Sequence, residues 1–399
     1  MVVSKKDRAF AIRFILCLGV VSLFADMTYE GAYSIIGPFL KDLGATATQV
    51  GLISGFGEMM AASLRLFSGR FADRTRAYWT IAISGYALNL LVVPALALVG
   101  NWQMAALLVV AERTGKALRG PARDVLLSEA TGKVGHGFGF GVHAAMDQTG
   151  AVVGPLMMAM VVAKSHHFGP AFLRLAFPAA GALIALLIAR AVYSGSPPPA
   201  PKPVVEQALP RVFWFYVAAA GLLACGFIDF TLLAYHFQKV SLVGPAEIPL
   251  LYAGAMGVIG LTALILGKLF DRFGIPVLTV GILASVLALP LGFLGGAWLG
   301  GSFAAIASAA CWGIGMGAQD ATLRSGIAQV VSMNKRGGAF GAFNAVYGVM
   351  WFVGSAAMGA LYDHSVTALV VFGTLAQLGA AAMFFRLRKP LAAAVAANV

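Results

Sequence analysis

Charged residues are scarce in this sequence: Asp, Glu, Lys and Arg make up only 11% of its 399 residues. Hydrophobic residues make up 60%, and apolar runs of about twenty residues, the length of a membrane-spanning helix, recur along the whole chain. A soluble domain needs a polar surface that these runs do not supply. The shortage of charge therefore excludes a soluble single domain and predicts an all-α membrane protein.

Cysteine and catalytic motifs are also scarce. The three cysteines, Cys17, Cys225 and Cys311, lie inside apolar runs without a CxxC pair, so a disulfide framework is not expected. The sequence has no GxxxxGKS/T phosphate-binding loop, no HExxH zinc motif and no serine nucleophile motif. These absences argue against an enzyme and against an ATP-driven pump, and no cofactor is expected.

Twelve apolar stretches are long enough to be transmembrane helices. They cover residues 10–39, 46–66, 79–99, 103–125, 139–163, 170–193, 212–240, 249–266, 275–295, 300–325, 339–363 and 366–385. The polar, proline-rich segment between the sixth and seventh stretches has the composition of a semi-extended linker. The sequence thus predicts an N-terminal six-helix bundle over 1–193, a cytoplasmic linker over 194–211 and a C-terminal six-helix bundle over 212–399.

The basic residues are distributed unevenly between the two sides of this arrangement. Seventeen Lys and Arg fall in tails and loops on the side of the N-terminus, whereas four fall on the other side: Lys41, Lys164, Arg174 and Lys239. The positive-inside rule therefore places both termini in the cytoplasm. The net charge of +12 follows from this topology, with anionic lipid headgroups rather than nucleic acid as the partner. We expect a monomer in the bacterial cytoplasmic membrane.

The two predicted bundles repeat a common pattern. The sequence FADMT at 24–28 recurs as FIDFT at 227–231, and GRFADR at 69–74 recurs as GKLFDR at 267–272. Asp124 has its counterpart in Asp320, and Gly154 in Gly354. The spacing between paired landmarks stays between 196 and 203 residues. Six helices, a linker and six helices of the same orientation predict parallel repeats related by an axis along the membrane normal.

These motifs resemble those of the major facilitator superfamily of transporters over nearly the whole chain. Residues 69–76, GRFADRTR, are similar to its motif A, and a degenerate copy lies at 267–274. The second glycine of that motif is replaced in the first copy by Thr75, whereas the second copy keeps Gly274. Residues 112–116, ERTGK, resemble motif B, and residues 150–156, GAVVGPL, resemble motif C of exporting antiporters.

The resemblance implies a function and several residue roles. It implies secondary active transport by alternating access of two six-helix bundles, as in proton-coupled exporters of drugs and metabolites. It further implies a cytoplasmic conformational latch formed by Gly69, Asp73, Arg74, Arg76, Asp124, Gly267, Asp271, Arg272 and Asp320. The motif C residues Gly150, Gly154 and Pro155 would bias which side opens, or would serve ordinary helix packing.

Acidic residues inside the apolar stretches are candidates for proton coupling. Asp26 and Glu30 are four residues apart, so both carboxylates lie on one face of the first helix. Two like charges in a low dielectric disfavour double ionisation, which suits a proton-carrying site. Arg113 would act as a fixed counter-charge, and Asp147 would join the site. Alternatively, each acid is paired permanently with Arg113 or Lys116 to hold the first and fourth helices together.

Polar side chains in the fourth, fifth, seventh and eleventh stretches are candidates for the substrate path. They are Lys116, His143, Gln148, Asp229, His236, Asn344, Tyr347 and Trp351. With the apolar surroundings of these helices, they predict a small amphipathic organic substrate, while Arg113 and Lys116 suit an anionic ligand equally well. The resemblance to exporters implies that the substrate is exported in exchange for protons.

The residues leave two alternatives open. Asp26, Cys225, Asp229 and His236 include donors suited to a transition metal, which would make the protein an exporter of a metal ion or metal chelate. A non-transporting sensor on the same fold would be a different class of protein, and the paired motif A copies and buried acids argue against it. Topology does not set the direction of transport, so import also stays open.

Overall fold

The computed structural model describes residues 5–132, 134–193, 209–332 and 335–397. Helix makes up 90% of the structure, and none of the residues in these ranges forms a β-strand. A helix satisfies its backbone hydrogen bonds within one segment, which is what a long apolar run requires in lipid. The all-α prediction is therefore confirmed.

The first predicted half folds into long helices with short connections. The elements are α1 (Lys5–Asp42), α2 (Ala47–Thr75), α3 (Tyr78–Ala95) followed by a 3-10 turn (Leu96–Leu98), α4 (Trp102–Thr131), α5 (His136–Ser165), α6 (Phe168–Arg174) and α7 (Ala176–Val192). Helices α6 and α7 are separated at Leu175 and together correspond to the sixth predicted stretch.

The second predicted half is more often divided. Its elements are α8 (Arg211–Gly226), α9 (Phe230–Lys239), α10 (Glu247–Phe273), α11 (Pro276–Val286), α12 (Ala288–Leu294), α13 (Gly296–Leu299), α14 (Gly301–Val330), α15 (Arg336–His364) and α16 (Val366–Ala397). Helices α8 and α9 correspond to the seventh predicted stretch, and α11 and α12 to the ninth.

Eleven helical segments within the described ranges are long and apolar enough to cross a membrane. Helix α4 is not among them, although it is 30 residues long. Its sequence carries Glu112, Arg113, Lys116, Arg119 and Arg123, and this charge lowers its hydropathy. The predicted span at 103–125 therefore rests on the length of α4 and on its position between two apolar helices.

The seventh predicted stretch, 212–240, is present as one apolar span over Arg211–Lys239, but this span is not one continuous helix. Helix α8 ends at Gly226, residues 227–229 are non-helical, and α9 begins at Phe230. Asp229 is the N-cap of α9, and its carboxylate accepts a hydrogen bond of 2.8 Å from the backbone nitrogen of Thr231. Aspartate is a favoured N-cap because it satisfies backbone donors that a helix start leaves free.

The turn after the first motif A copy also corrects the sequence analysis. Helix α2 ends at Thr75, and the residue with a left-handed backbone is Arg76, with φ of 55°. In the second copy Gly274 takes the same place, with φ of 69°. Arg76, not Thr75, therefore replaces the glycine of the motif. A residue with a Cβ is strained in this conformation, whereas glycine is not.

Contacts within the structure divide the chain into two compact units. Unit 1 comprises Met1–Ile36 and Ser63–Lys202, and unit 2 comprises Gly37–Ala62 and Pro203–Val399. The hairpin over 37–62, made by the end of α1 and the first half of α2, thus groups with the C-terminal residues rather than with the bundle predicted over 1–193. Most of the predicted linker, residues 194–208, lies outside the described residues.

Within unit 2 the hairpin packs directly on α15. A Cβ on Gly51 would overlap the carbonyl oxygen of Ser355, so the two helix backbones touch there. At the start of α2, the carboxylate of Asp363 accepts hydrogen bonds from the backbone nitrogens of Ala47, at 3.3 Å, and Thr48, at 2.8 Å. A side chain more than 300 residues away in sequence therefore caps α2.

Each unit has its own apolar core. In unit 1 one cluster contains Val21, Ala25, Tyr86 and Leu90 from α1 and α3, and a second lies around Phe14. In unit 2 a larger cluster contains Phe213, Tyr216, Leu278, Ile327, Phe343 and Phe384, from five different helices. These cores hold in place the helices that carry the polar side chains described next.

Candidate functional site

The charged side chains of unit 1 are positioned by a close approach of α3 and α4. A Cβ on Gly115 would overlap the backbone nitrogen of Asn89, and a Cβ on Gly85 would lie 2.7 Å from the backbone nitrogen of Arg119. The two backbones are therefore in contact, which glycine permits. Because α4 lies so close to α3, Glu112, Arg113 and Arg119 of α4 are buried.

Glu112 and Arg113 form a local pair on α4. The amide of Asn89 donates a hydrogen bond of 2.6 Å to Glu112 Oε1, and Arg113 Nε lies 3.4 Å from Glu112 Oε2. The Arg113 guanidinium lies 4.7 Å from the centre of the Tyr33 ring. Glu112 therefore offsets the charge of Arg113. The role of Arg113 as a counter-charge for the acids of α1 stays a prediction.

Asp26 is buried on α1 and accepts a hydrogen bond from the hydroxyl of Tyr29, three residues later on the same helix face. Four charged side chains act on its carboxylate most strongly: Asp147 and Glu30 repel it, and Arg119 and Lys116 attract it. The acids predicted for proton coupling therefore interact electrostatically with Asp26 in unit 1, together with two cations of α4.

The ring of Tyr29 faces both of these cations. Lys116 Nζ lies 3.9 Å from the ring centre, and the Arg119 guanidinium lies 5.3 Å from it. Lys116 and Arg119 are three residues apart and so share one face of α4. Lys116 Nζ also lies 3.5 Å from Glu30 Oε1. We call Asp26, Tyr29, Glu30, Lys116 and Arg119 the charged cluster.

Arg119 is only 2% exposed, which is unusual for a cation. Its guanidinium lies 4.3 Å from the ring centre of Tyr86, on the side of α3, and its Nε has no hydrogen-bond partner among the described residues. A buried cation is costly unless its charge is offset. Here the ring faces of Tyr29 and Tyr86 and the negative charge of Asp26 offset it.

Helix α5 carries the predicted residues His143, Asp147 and Gln148. His143 Nδ1 lies 3.7 Å from Asp147 Oδ2, one helical turn away, and the side chain of Asp147 is 31% exposed. Gln148 is half-buried. Asp147 is thus the most accessible acid that acts on Asp26, while His143 is buried beneath it.

The motif C glycines of α5 seat this helix against α1. A Cβ on Gly150 would overlap the carbonyl oxygen of Leu23 and would lie 3.0 Å from Cβ of Asp26. A Cβ on Gly154 would overlap the carbonyl oxygen of Met27, and Pro155 is buried next to it. The two glycines therefore set the distance between α1 and α5, and with it the position of Asp147 relative to Asp26.

Unit 2 places its repeat aspartate in a different setting. Asp229 Oδ1 caps α9, and its Oδ2 accepts a hydrogen bond of 3.3 Å from Trp351 Nε1. The non-helical residues 227–229 leave backbone carbonyls without helical partners. Gln377 Nε2 donates to the carbonyl of Gly226 at 3.0 Å, and Trp312 Nε1 donates to that of Ile228 at 2.9 Å. We call this segment and its donors the helix interruption.

Aromatic rings surround the helix interruption. Phe227 lies 6.0 Å from Trp312 and 5.7 Å from Trp351, measured between ring centres. Tyr347 continues the stripe at 5.8 Å from Trp351, and its hydroxyl donates to Gln319 Oε1 at 2.8 Å. Asn344, also predicted for the substrate path, is half-buried. Tyr347 and Trp351 thus form an aromatic stripe on α15, and Trp351 donates a hydrogen bond to Asp229.

His236 is held by aromatic neighbours rather than by acids. Its Nδ1 lies 2.9 Å from the hydroxyl of Tyr362, and its ring centre lies 4.6 Å from that of Phe293. No three His, Cys, Asp or Glu side chains in the described ranges lie close enough to hold a metal ion. No observation in the structure thus favours the alternative of a metal exporter through Cys225, Asp229 and His236.

Most residues of the expected latch lie near the ends of α2 and α10, whereas Asp124 lies on α4 and Asp320 on α14. Asp73 accepts a hydrogen bond of 3.1 Å from Tyr78, and Asp124 forms an ion pair of 2.9 Å with its neighbour Arg123. In the second copy Arg272 lies over the ring of Phe273. Gly69 and Gly267 each face a neighbouring helix at ordinary contact distance. Their role as a latch, together with Arg74, Asp271 and Asp320, stays a prediction.

Comparison with known proteins identifies the family of a chain with this fold and site. The model of the Major Facilitator Superfamily matches residues 16–355. The chain belongs to the Major Facilitator Superfamily. This superfamily member is therefore a multi-pass membrane transporter with a small-molecule substrate, and not an enzyme.

Relatives of this transporter occur in bacteria and archaea. An uncharacterized protein of Mycobacterium tuberculosis is 40% identical over 392 residues, which cover 95% of this chain and 94% of the relative. An uncharacterized MFS-type transporter of Methanocaldococcus jannaschii is 27% identical over 159 residues, which cover 40% of this chain and 39% of the relative.

Solved structures share the fold of this transporter. The crystal structure of the nucleoside transporter NupG is 14% identical with a TM-score of 0.73, and the match covers 94% of this chain and 98% of that one. A bacterial homolog of the human lysosomal transporter Spinster, in an inward-facing and occupied conformation, is 15% identical with a TM-score of 0.71. That match covers 97% of this chain and 98% of the homolog. At these identities the likeness supports the fold alone.

Two residues of the charged cluster were not predicted from the sequence. Tyr29 lies between the two acids of α1 and is one of ten tyrosines, so composition did not single it out. Arg119 is not among the residues that the sequence predicts for the site. Its position three residues after Lys116 was the available signal, since that spacing puts both cations on one helix face.

Proposed function

We propose that this transporter is a proton-coupled antiporter that exports a small organic compound across the cell membrane by alternating access. In this proposal it has twelve transmembrane helices, α4 included, with both termini in the cytoplasm, and it acts as a monomer. The observation that carries the proposal is the burial of Asp26 among Glu30, Asp147, Lys116 and Arg119 in unit 1.

Proton coupling follows from the balance of charges around Asp26. Two acids and two cations act on this carboxylate, so a small movement of α4 or α5 changes which of them dominates. When the cations are close, the ionised carboxylate is favoured; when they withdraw, the two nearby acids favour protonation. Asp26 and Glu30 would thus take up protons in one state and release them in the other, with Arg113 as a further counter-charge.

In this proposal each unit has its own candidate residues for contact with the substrate. In unit 1 these are the partly exposed side chains of Asp147 and Gln148, and in unit 2 they are the partly exposed side chains of Tyr347 and Asn344. Polar, amide and aromatic groups of these kinds suit an amphipathic molecule with an aromatic or apolar part. The nucleoside transporter among the structural neighbours supports the fold and leaves the substrate open.

The experiment is a proton-flux measurement in liposomes that enclose a pH-sensitive dye. Uridine, ethidium and benzoate serve as a neutral, a cationic and an anionic aromatic probe. We expect at least one probe to drive proton movement in the wild type. Asp26→Asn should abolish that movement without lowering the melting temperature, because Asn keeps the size of the side chain but carries no titrating proton.

The control is Glu247→Gln, which neutralises an exposed acid at the start of α10 and keeps an acceptor for the backbone nitrogen of Gly244. Its proton flux should match that of the wild type. Probe movement without proton movement in the wild type would contradict proton coupling. Unchanged proton flux in Asp26→Asn would contradict the assignment to this residue. A protein that binds a probe but moves none would favour the sensor alternative.

A further inference from the structure

Tyr29 contacts charged groups of two helices: its hydroxyl contacts α1, and its ring contacts α4. Its hydroxyl donates to the carboxylate of Asp26 on α1, and its ring faces Lys116 at 3.9 Å and Arg119 at 5.3 Å on α4. The residue is only 7% exposed, so water does not replace either contact readily. One side chain thus joins the proposed proton carrier to the two cations that act on it most strongly.

We propose that Tyr29 is a positioning residue that links the ionisation of Asp26 to the position of α4. This inference rests on the proposed function and deepens it. The hydroxyl favours the ionised carboxylate as long as the ring stays between Asp26 and the cations. When α4 moves, Lys116 and Arg119 no longer hold the ring, the hydroxyl turns away from Asp26, and the carboxylate takes up a proton.

The aromatic contacts make the ring dependent on α4. A cation over a ring face is attracted by the negative face of the π-system, and the attraction is stronger where water is excluded. Arg119 lies between the rings of Tyr29 and Tyr86, so it ties α1 to α3 as well as to α4. The two cations beside this ring repel each other, and the carboxylates of Glu30 and Asp26 nearby offset the repulsion.

Other titratable and charged groups also lie around the Asp26 carboxylate and affect its ionisation. They are Glu30 on α1, Lys116 and Arg119 on α4, and Asp147 on α5, with Tyr86 on α3, Arg123 on α4 and His143 on α5 one contact further away. Removal of the Tyr29 hydroxyl leaves all of them in place. The substitution Tyr29→Phe therefore tests the hydrogen bond separately from the surrounding charges and from the ring.

The experiment is an infrared pH titration of the purified protein in lipid. The band of the protonated Asp26 carboxyl is identified by its loss in Asp26→Asn. In Tyr29→Phe the pH midpoint of this band should rise by about one unit, because the ionised carboxylate loses a donor. Unchanged melting temperature would show that the ring still packs in place.

Tyr193→Phe is the matched control. The hydroxyl of Tyr193 also donates to a carboxylate of unit 1, that of Glu129. It lies after α7, outside the charged cluster, so its substitution should leave the Asp26 midpoint where it is. An unchanged midpoint in Tyr29→Phe, or an equal shift in Tyr193→Phe, would overturn the inference.

A second pair of variants tests the link to α4. Arg119→Gln should also raise the midpoint, because it removes a cation near Asp26. If Tyr29 transmits the effect of α4, the shift in Arg119→Gln should be smaller when Tyr29→Phe is already present. Additive shifts would contradict transmission through Tyr29. A titrating Asp26 without proton-coupled flux in liposomes would instead contradict the proposed function and leave the positioning role intact.

Discussion

In unit 1 the repeat aspartate Asp26 lies inside the unbroken helix α1, whereas in unit 2 its counterpart Asp229 lies where a helix begins. Asp26 bonds to a tyrosine hydroxyl and interacts with charges from α4 and α5. Asp229 bonds to the backbone of Thr231 and to the indole of Trp351. The two residues share a place in the sequence repeat but not a structural role.

The difference shows what a helix interruption does to a buried acid. The start of α9 leaves backbone N–H groups without helical partners, and a carboxylate at the N-cap satisfies one of them. In the unbroken helix α1 the backbone N–H groups near Asp26 bond within the helix. The carboxylate of Asp26 therefore bonds to a side chain, the hydroxyl of Tyr29. A repeated acidic residue is therefore a candidate for proton coupling only where the backbone does not already use it.

The largest expected effect separates the two aspartates directly. Asp26→Asn should abolish proton-coupled flux, since it removes the proposed proton carrier. Asp229→Asn should keep flux within about twofold, because the asparagine oxygen caps α9 as well as aspartate does and only the hydrogen bond from Trp351 is lost. Flux in the liposome assay and the melting temperature of each variant check both expectations.

Asp229→Ala is the control for this comparison. It removes the cap and leaves the indole of Trp351 without its acceptor, so we expect about 1–2 kcal/mol of lost stability. If Asp229→Asn loses as much flux as Asp26→Asn, the two aspartates share a functional role and the contrast drawn between the units is wrong.

A smaller effect is expected from the donors of the helix interruption. Trp312→Phe removes the donor to the carbonyl of Ile228, and Gln377→Leu removes the donor to that of Gly226. Each buried carbonyl left unpaired should cost about 1–3 kcal/mol, seen as a lower melting temperature. Trp298→Phe, at a tryptophan that is 65% exposed, should not change it. Equal melting temperatures for all three variants would contradict this account of the interruption.

The smallest effect concerns the turns after the two motif A copies. Gly274→Ala should destabilise the protein by about 1 kcal/mol, because its backbone has a φ of 69°. Arg76→Gly should relieve the same strain in unit 1 and raise stability by up to about 1 kcal/mol, although glycine is also freer in the unfolded chain. If both variants shift the melting temperature in the same direction, backbone strain at the positive φ angle does not explain the stability of the two turns.

Much of the fold could be predicted because it follows from local sequence. Apolar runs of the right length fix helices in lipid, and the recurrence of FADMT and GRFADR in the second half indicates the repeat. The interruption at 227–229 was missed because Phe227 and Ile228 are as apolar as their neighbours. Hydropathy therefore gives no sign of the break. The carbonyls of Gly226 and Ile228 accept hydrogen bonds from Gln377 and Trp312, which lie on other helices.

The candidate site could be predicted only in part. The intramembrane acids were recognisable because burying a charge in lipid costs free energy, so ionisable residues there are rare and are candidates for function. The cation beside each acid was recognisable only for Glu30, since its pairing with Lys116 was one of the alternatives that the sequence left open. Arg113, expected as the counter-charge, pairs with Glu112, while Lys116 and Arg119 face Tyr29. The choice depends on rotamers and helix positions that sequence spacing does not specify.

The sequence by itself determined the membrane-spanning helices, the repeat and the membership in a transporter superfamily, because these depend on hydropathy and on residues close together in the chain. The tertiary structure decided the partner of each buried charge. Gly85 and Gly115 let α3 and α4 touch, Gly150 lets α5 approach Asp26, and Tyr29 comes to lie between an acid of α1 and the cations of α4. Electrostatic interactions fall off with distance and depend on burial, so only the packed helices determine which of them matter.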